Sequence, residues 1–320
     1  PLQHLKRRAG DRERRAGARL KRSASAAEWA TRRERGSAGL IRLMAALSLR
    51  MGRRGARVAL HLIAAYFFLF APRARRASRA YLRRVLGRAP TARERFRQVL
   101  AFATTIHDRV YLLNDRFELF DLTVEGEELM RERVRSRAGG FLVGAHFGSF
   151  EVIRAMGRRQ SGLRVAMAAY EDNARKINAA WAAINPKLAA ETVPLGSLEA
   201  MLKVRALLDE GVFVGMLADR TPGAEAAQVV EFLGAPARFP IGPMRVAALL
   251  GGEAVLMLGL YLGGNRYRVV FESIADFSAV SREGRDDAIR AAVVRYARRL
   301  EAHCREHPYN WFNFFDFWAA

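Results

Sequence analysis

Two hydrophobic grammars divide this chain near residue 120. Before it, apolar positions recur at helical spacing or run together. Ser37–Met51 (SAGLIRLMAALSLRM) and Val58–Ala71 (VALHLIAAYFFLFA) are apolar helix candidates, and Gly52-Arg53-Arg54-Gly55 can turn the chain between them. Thr91–Leu113 reads as a further helix. After Gly126 short apolar runs alternate with helical ones. Phe141–Ala145, Leu163–Tyr170 and Val212–Ala218 are candidates for buried strands. Phe150–Arg158, Ile241–Leu250 and Asp286–His303 have helical spacing. So does the stretch opened by Ser197 as N-cap and closed by Gly211 as C-cap. Ala254–Leu262 and Arg266–Ile274 read as strands joined by a Gly263-Gly264-Asn265 hairpin. The fold class this predicts is α/β: a mostly parallel sheet flanked by helices, with one antiparallel excursion and a helical N-terminal region. Three stretches follow: a disordered basic arm over 1–26, a helical region over 27–120, and an α/β region over 121–320.

Charge sharpens that division. The chain has 320 residues, 51% of them apolar, which suffices for a large core and excludes wholesale disorder. A single cysteine, Cys304, excludes an intrachain disulfide framework. Residues 1–90 carry 24 basic and 4 acidic side chains, so nearly all of the net charge of +22 lies there. No acid occurs between Glu34 and Glu94. Such a region suits phosphate, on nucleic acid or on anionic lipid. Nucleic-acid binding calls for basic residues mixed with polar and stacking groups, not a continuous aliphatic–aromatic run. The charge-free run Val58–Ala71 has 14 residues, against the roughly 20 that a helix needs to cross a bilayer. A helical pair lying in an anionic membrane interface, with arginines at head-group level, is the favoured reading, and no nucleic-acid partner is expected. A buried helix with a basic surface is the alternative.

Candidate chemistry stands at three strand ends, where open α/β sheets place their sites. The first is Ala145-His146-Phe147-Gly148-Ser149-Phe150-Glu151. On a regular helix five residues rotate by about 140°, so His146 and Glu151 would not share a face. With His146 in a loop and Glu151 in the first turn that follows, they can meet, and the carboxylate would fix the tautomer of a catalytic base. A capping carboxylate and an incidental histidine is the plainer reading. The second stretch is Leu217-Ala218-Asp219-Arg220: Arg220 suits a phosphate or carboxylate and Asp219 could orient it, or the two form a surface ion pair. The third runs from Phe232 to Pro243 and reads as two Gly/Pro loops leading into a helix start, where Arg238, Phe239, Pro240 and Gly242 could meet a ligand. His303, Cys304 and His307 are too few for a metal site and are expected at the surface, as is the pair His107-Asp108. No metal and no cofactor is expected.

Taken together, HFGSFE at 146–151, GMLADR at 215–220 and FLGAPARFPIGP at 232–243, with EWATRRERGS at 28–37, resemble the lysophospholipid acyltransferase superfamily. Within it they are most similar to the bacterial lipid A biosynthesis acyltransferases, over about residues 27–318. The His-x4-Asp/Glu signature of that family falls on His146 and Glu151. The resemblance implies acyl transfer from a thioester, acyl carrier protein or acyl-CoA, to a hydroxyl of an amphiphilic lipid at the cytoplasmic face of the inner membrane. It makes His146 the general base and Glu151 its orienting partner. Tyr170-Glu171-Asp172-Asn173 stands where lipid A enzymes usually carry an arginine, and the ending from Pro308 to Trp318 is aromatic rather than basic, so fold and reaction carry over further than the acceptor. The alternatives are a thioester hydrolase using the same pair, and a peripheral membrane protein without catalysis.

Overall fold

The structure, a computed structural model, describes residues 38–153, 163–187, 192–220 and 226–318. The arm at 1–26, the stretch 28–37 and most of the helix expected over Phe150–Arg158 lie outside them; Phe150–Val152 forms a 3-10 turn. The apolar pair becomes one helical stretch, α1 (Ala38–Phe70), broken at Gly52, whose φ of 71° and ψ of 163° interrupt the helix inside the expected turn. α2 (Pro72–Leu86) starts with proline in its first turn and ends on Gly87 in the left-handed region. α3 (Ala92–Leu112) opens with a capping box between Thr91 and Glu94. Beyond it lie β1 (Asp121–Glu125), α4 (Glu127–Arg135), β2 (Gly140–Gly144), β3 (Val165–Tyr170), α5 (Glu171–Ile184), β4 (Thr192–Leu195), α6 (Leu198–Asp209) and β5 (Phe213–Leu217). The chain continues through β6 (Ala227–Phe232), β7 (Ala235–Pro240), α7 (Gly242–Leu249), β8 (Glu253–Gly263), β9 (Arg266–Asp276) and α8 (Arg285–Glu306).

Seven strands form one sheet in the order β1-β9-β8-β2-β5-β3-β4. Every neighbouring pair is parallel except β8 with β9, the expected hairpin. Side chains alternate between two buried layers, as a sheet covered on both faces requires. Phe141, Val143, Val214 and Leu256 join a core with α2, α6, α7 and α8, while Leu142, Phe213, Val255 and Met257 join one with α1, α3 and α4. Ser197 caps α6 by accepting from the Ala200 amide, and Gly211 follows the helix at a φ of 76°.

Three expectations are corrected. The Phe232–Pro243 stretch is not a pair of loops: β6 and β7 are an antiparallel hairpin turning at Leu233 and Gly234. His303 and Cys304 are buried, not superficial. The Nε2 of His303 lies 2.9 Å from Glu272, and burial raises the Cys304 thiol well above its ordinary range. Asp108 is also fully buried. Arg53, just past the Gly52 kink, donates to both its oxygens at 2.7 and 2.8 Å, and the Tyr267 hydroxyl donates to it at 2.7 Å. A charge can sit there because it is paired and hydrogen-bonded.

Candidate active site

Strand register brings the site together. β2 and β5 are parallel neighbours, with Gly144 opposite Leu217. Two residues beyond each partner come His146 and Asp219, at the same edge of the sheet. The Nδ1 of His146 donates to Asp219 Oδ1 at 2.9 Å, and the backbone amide of His146 donates to Oδ2 at 3.0 Å. A third donor arrives from the end of the chain: the Trp311 indole gives its N–H to Oδ2 at 3.0 Å. Asp219 is fully buried, and its carboxyl is held down at about 2. Burial opposes that; the charge and hydrogen bond of His146, the charge of Arg220 and the Trp311 indole together outweigh it.

With Nδ1 donating to a carboxylate, a neutral His146 presents Nε2 as an acceptor. Its side chain is 33% exposed, so the ring is walled by protein and still reachable. Its pKa is lowered, first by burial, then by the charge of Arg220, with Arg109 adding to the effect; the charge and hydrogen bond of Asp219 oppose them. Near neutral pH the ring is therefore uncharged and able to accept a proton.

Glu151 lies elsewhere than expected. Its buried carboxylate pairs with Arg109 from the last turn of α3 and accepts from the Ser149 hydroxyl at 3.0 Å. Asp219 is thus the carboxylate bonded to the imidazole, and Glu151 is bonded to Ser149 of the loop after His146 and to Arg109 of α3. That loop also needs glycine. Gly148 has a φ of 62°, and a Cβ there would overlap the carbonyl of Gly259 on β8. A Cβ on Gly259 would in turn overlap the carbonyl of Ser149. The close approach lets the Ser149 amide donate to Gly259 at 2.8 Å and the Gly148 amide to the Asn310 carbonyl at 2.9 Å.

The aromatic ending closes the site. The Phe312 amide donates to the His146 carbonyl at 2.8 Å, and Arg220 donates to the Phe312 carbonyl at 3.0 Å while lying over the Phe315 ring. Trp311 is fully buried against Tyr81, Phe232 and Phe317. Its carbonyl accepts from Gln98 of α3, which itself accepts from Ser78 of α2 at 2.6 Å. Phe232 packs on Trp311, but the residues of the Phe232–Pro243 stretch expected to meet a ligand do not share one surface. Phe239 is wholly buried against Phe232, Tyr296 and Phe317 and has no surface to offer a ligand, and Pro240 is buried too. Arg238 is exposed on β7 opposite Val229, and Gly242 opens α7. Sequence reasoning missed Trp311, Gln98 and Arg109. A buried indole needs an acceptor, which is a signal, but nothing local says that the acceptor is Asp219.

Comparison with known families agrees with this architecture: residues 31–319 match the family model for bacterial lipid A biosynthesis acyltransferases. The chain belongs to that family and is an acyltransferase acting on lipids. A comparison with curated proteins finds no match.

Proposed function

We propose that this protein moves a fatty acyl group from acyl carrier protein to a hydroxyl of an amphiphilic lipid at the cytoplasmic face of the inner membrane. His146 is the general base and Asp219 its orienting partner. The observation that carries this is the paired, partly exposed imidazole with Nδ1 tied to a buried carboxylate. Nε2 removes the hydroxyl proton as the acceptor oxygen attacks the thioester carbonyl. The tetrahedral intermediate collapses, the C–S bond breaks, and the imidazolium returns the proton to the departing thiolate. Ester and thiol are the products, and no acyl-enzyme is needed. The charge of Asp219 stabilises the transient imidazolium. Arg220, held by the Phe312 carbonyl, supplies positive charge beside the ring for the oxyanion or an anionic substrate group. Glu151 contributes through Arg109 and Ser149 by holding the loop.

Membrane association belongs to the same reading. Among the described residues no single helix is long and apolar enough to cross a membrane; α1 and α2 pass that test only together, bent by 92°. After its break at Gly52, α1 instead exposes a stripe that includes Leu62, Tyr66 and Phe70; Leu43 and Leu47 before the break and Ile106 of α3 are exposed too. Such a stripe suits insertion into one leaflet. An acidic carrier protein suits the basic N-terminal region, because long-range attraction speeds encounter.

The test is transfer from acyl carrier protein and from acyl-CoA of matched chain length by wild type and His146→Ala, with circular dichroism on both. The variant is expected to fold and to lose on the order of 10²–10⁴ in turnover. Wild-type turnover in the variant would remove His146 from the mechanism. Free fatty acid formed without any acceptor would point to hydrolysis instead. Better use of acyl-CoA, insensitive to salt, would reassign the donor alone.

A further inference from the structure

The outer face of α2 carries a cleft whose lining shares no residue with the cluster around His146. α2 holds six arginines and no acid, and it buries Ala77, Ser78, Tyr81, Leu82 and Val85. Arg76, Arg79 and Arg83 recur on the opposite, exposed face, over about 10 Å of helix. With Arg84 and the hairpin residue Leu233 they line a cleft of about 620 Å³ whose lining includes no carboxylate. Its walls are fixed. Arg84 lies 4.7 Å over the Trp318 ring, Trp318 donates to the Phe232 carbonyl, and the Leu233 amide donates to Glu301 at 2.7 Å. Ser78 and Gln98 anchor the inner face of α2 to the Trp311 carbonyl. Several cations converging on a built cleft, with no counter-charge in its lining, repel one another and favour an anion between them.

Position selects the occupant. α2 leaves α1 at 92°, directly after the exposed Tyr66, Phe67, Leu69 and Phe70. Against a bilayer these aromatic and aliphatic side chains would reach acyl-chain depth with the arginines of the next helix at head-group level, the layering of a bilayer surface. We propose that the α2 cleft binds the phosphate of an anionic phospholipid head group, as a docking site separate from the acceptor site at His146. Guanidinium groups match phosphate oxygens in bidentate pairs, and three on one face can share one head group. A lipid fits better than an acidic protein because Arg76 follows the exposed Phe70 by only six residues, and a soluble partner would leave that apolar end of α1 in water. The inference rests on the membrane half of the proposed function and not on the role of His146.

The test uses full-length His146→Ala protein, so that turnover cannot alter the lipids. Cosedimentation is measured with phosphatidylcholine vesicles, with and without phosphatidylglycerol. The triple variant R76Q/R79Q/R83Q is compared with R282Q/R290Q/R298Q, which removes the same charge from α8 and the loop before it. The cleft triple is expected to lose about 100-fold in affinity for the phosphatidylglycerol vesicles and little for phosphatidylcholine alone, and the control triple less than about 3-fold. Equal losses in both triples would mean a general charge effect and overturn the site. Unchanged vesicle binding, with carrier-protein-dependent turnover lost when the cleft triple is placed in the wild-type background, would assign the cleft to a protein partner and overturn it too. A wild-type protein without transferase activity but with the expected vesicle pattern would sink the enzyme reading and leave the docking site standing.

Discussion

Two apolar runs in this molecule look alike as strings and end in opposite surroundings. In β8 the segment from Glu253 to Leu260 is buried throughout, because helices cover both faces of the sheet. In α1 the segment from Val58 to Phe70 buries only a stripe, including Leu60 and Ala64. Its other side leaves Val58 71% exposed, Leu62 72% and Phe70 66%, whereas Leu258 of β8 is 1% exposed. Hydrophobicity states that a segment will leave water, not what it will enter. β8 enters the protein. Among the described residues none covers the outer side of α1 from Val58 to Phe70, and an exposed apolar surface of this kind marks an interaction site. The two regions are nonetheless locked together. Arg53 of α1 holds Asp108 of α3, and the next residue, Arg109, holds Glu151 in the site loop.

The largest effect should come from the body alone. Asp219→Asn keeps the shape but loses the charge and favours the wrong tautomer. We expect turnover to fall by on the order of 10²–10⁴ with secondary structure intact, while vesicle binding stays at wild type. Retained turnover would remove Asp219 from the mechanism.

Next comes the joint between the regions. Asp108→Ala leaves the Arg53 guanidinium uncompensated and the Tyr267 hydroxyl without its acceptor. A loss of about 3–5 kcal/mol in urea unfolding is expected. A loss below about 1 kcal/mol would show that α1 is not fastened to the body at this point.

The comparison itself is tested by one substitution made twice. Leu258→Ala empties a packed site and should cost about 2–5 kcal/mol of stability. Leu62→Ala should change stability by less than about 0.5 kcal/mol and instead weaken vesicle binding about tenfold. Equal destabilisation by both would mean that the exposed stripe of α1 is covered by protein in solution.

The smallest effect is a shift in pH dependence. Burial and the charge of Arg220 lower the His146 pKa, so the acid limb of kcat/KM should lie below the ordinary histidine value of about 6.5. Arg220→Gln removes a charge that opposes the imidazolium and should move that limb upward, whatever it does to the maximum rate. An unmoved limb would show that this charge does not act on the base. The same groups enter stability with the opposite trend to a raised histidine. The depressed Asp219 contributes fully above its ordinary value of 3.8, and that contribution is lost as pH falls through about 2.

Local pattern decided much of the architecture. The alternation of strands and helices, the caps at Thr91 and Ser197, the break at Gly52 and the placing of His146 after a strand all depend on residues within a dozen positions of one another, where backbone propensity and burial period act directly. The sequence also carried the family motifs and marked Asp219 and Arg220 as a pair of interest. It did not say which carboxylate contacts the imidazole. Glu151 is five positions away and Asp219 is 73, yet the distant one is in contact. Strand order decides that, because β2 and β5 are neighbours in parallel register although β3 and β4 lie between them in the chain. The same holds for Trp311, 92 residues beyond Asp219, and for Asp108, whose burial depends on an arginine 55 residues earlier. Short-range physics fixes what each segment is; which segments meet depends on closing long loops and filling two shared cores, and only the folded chain settles it.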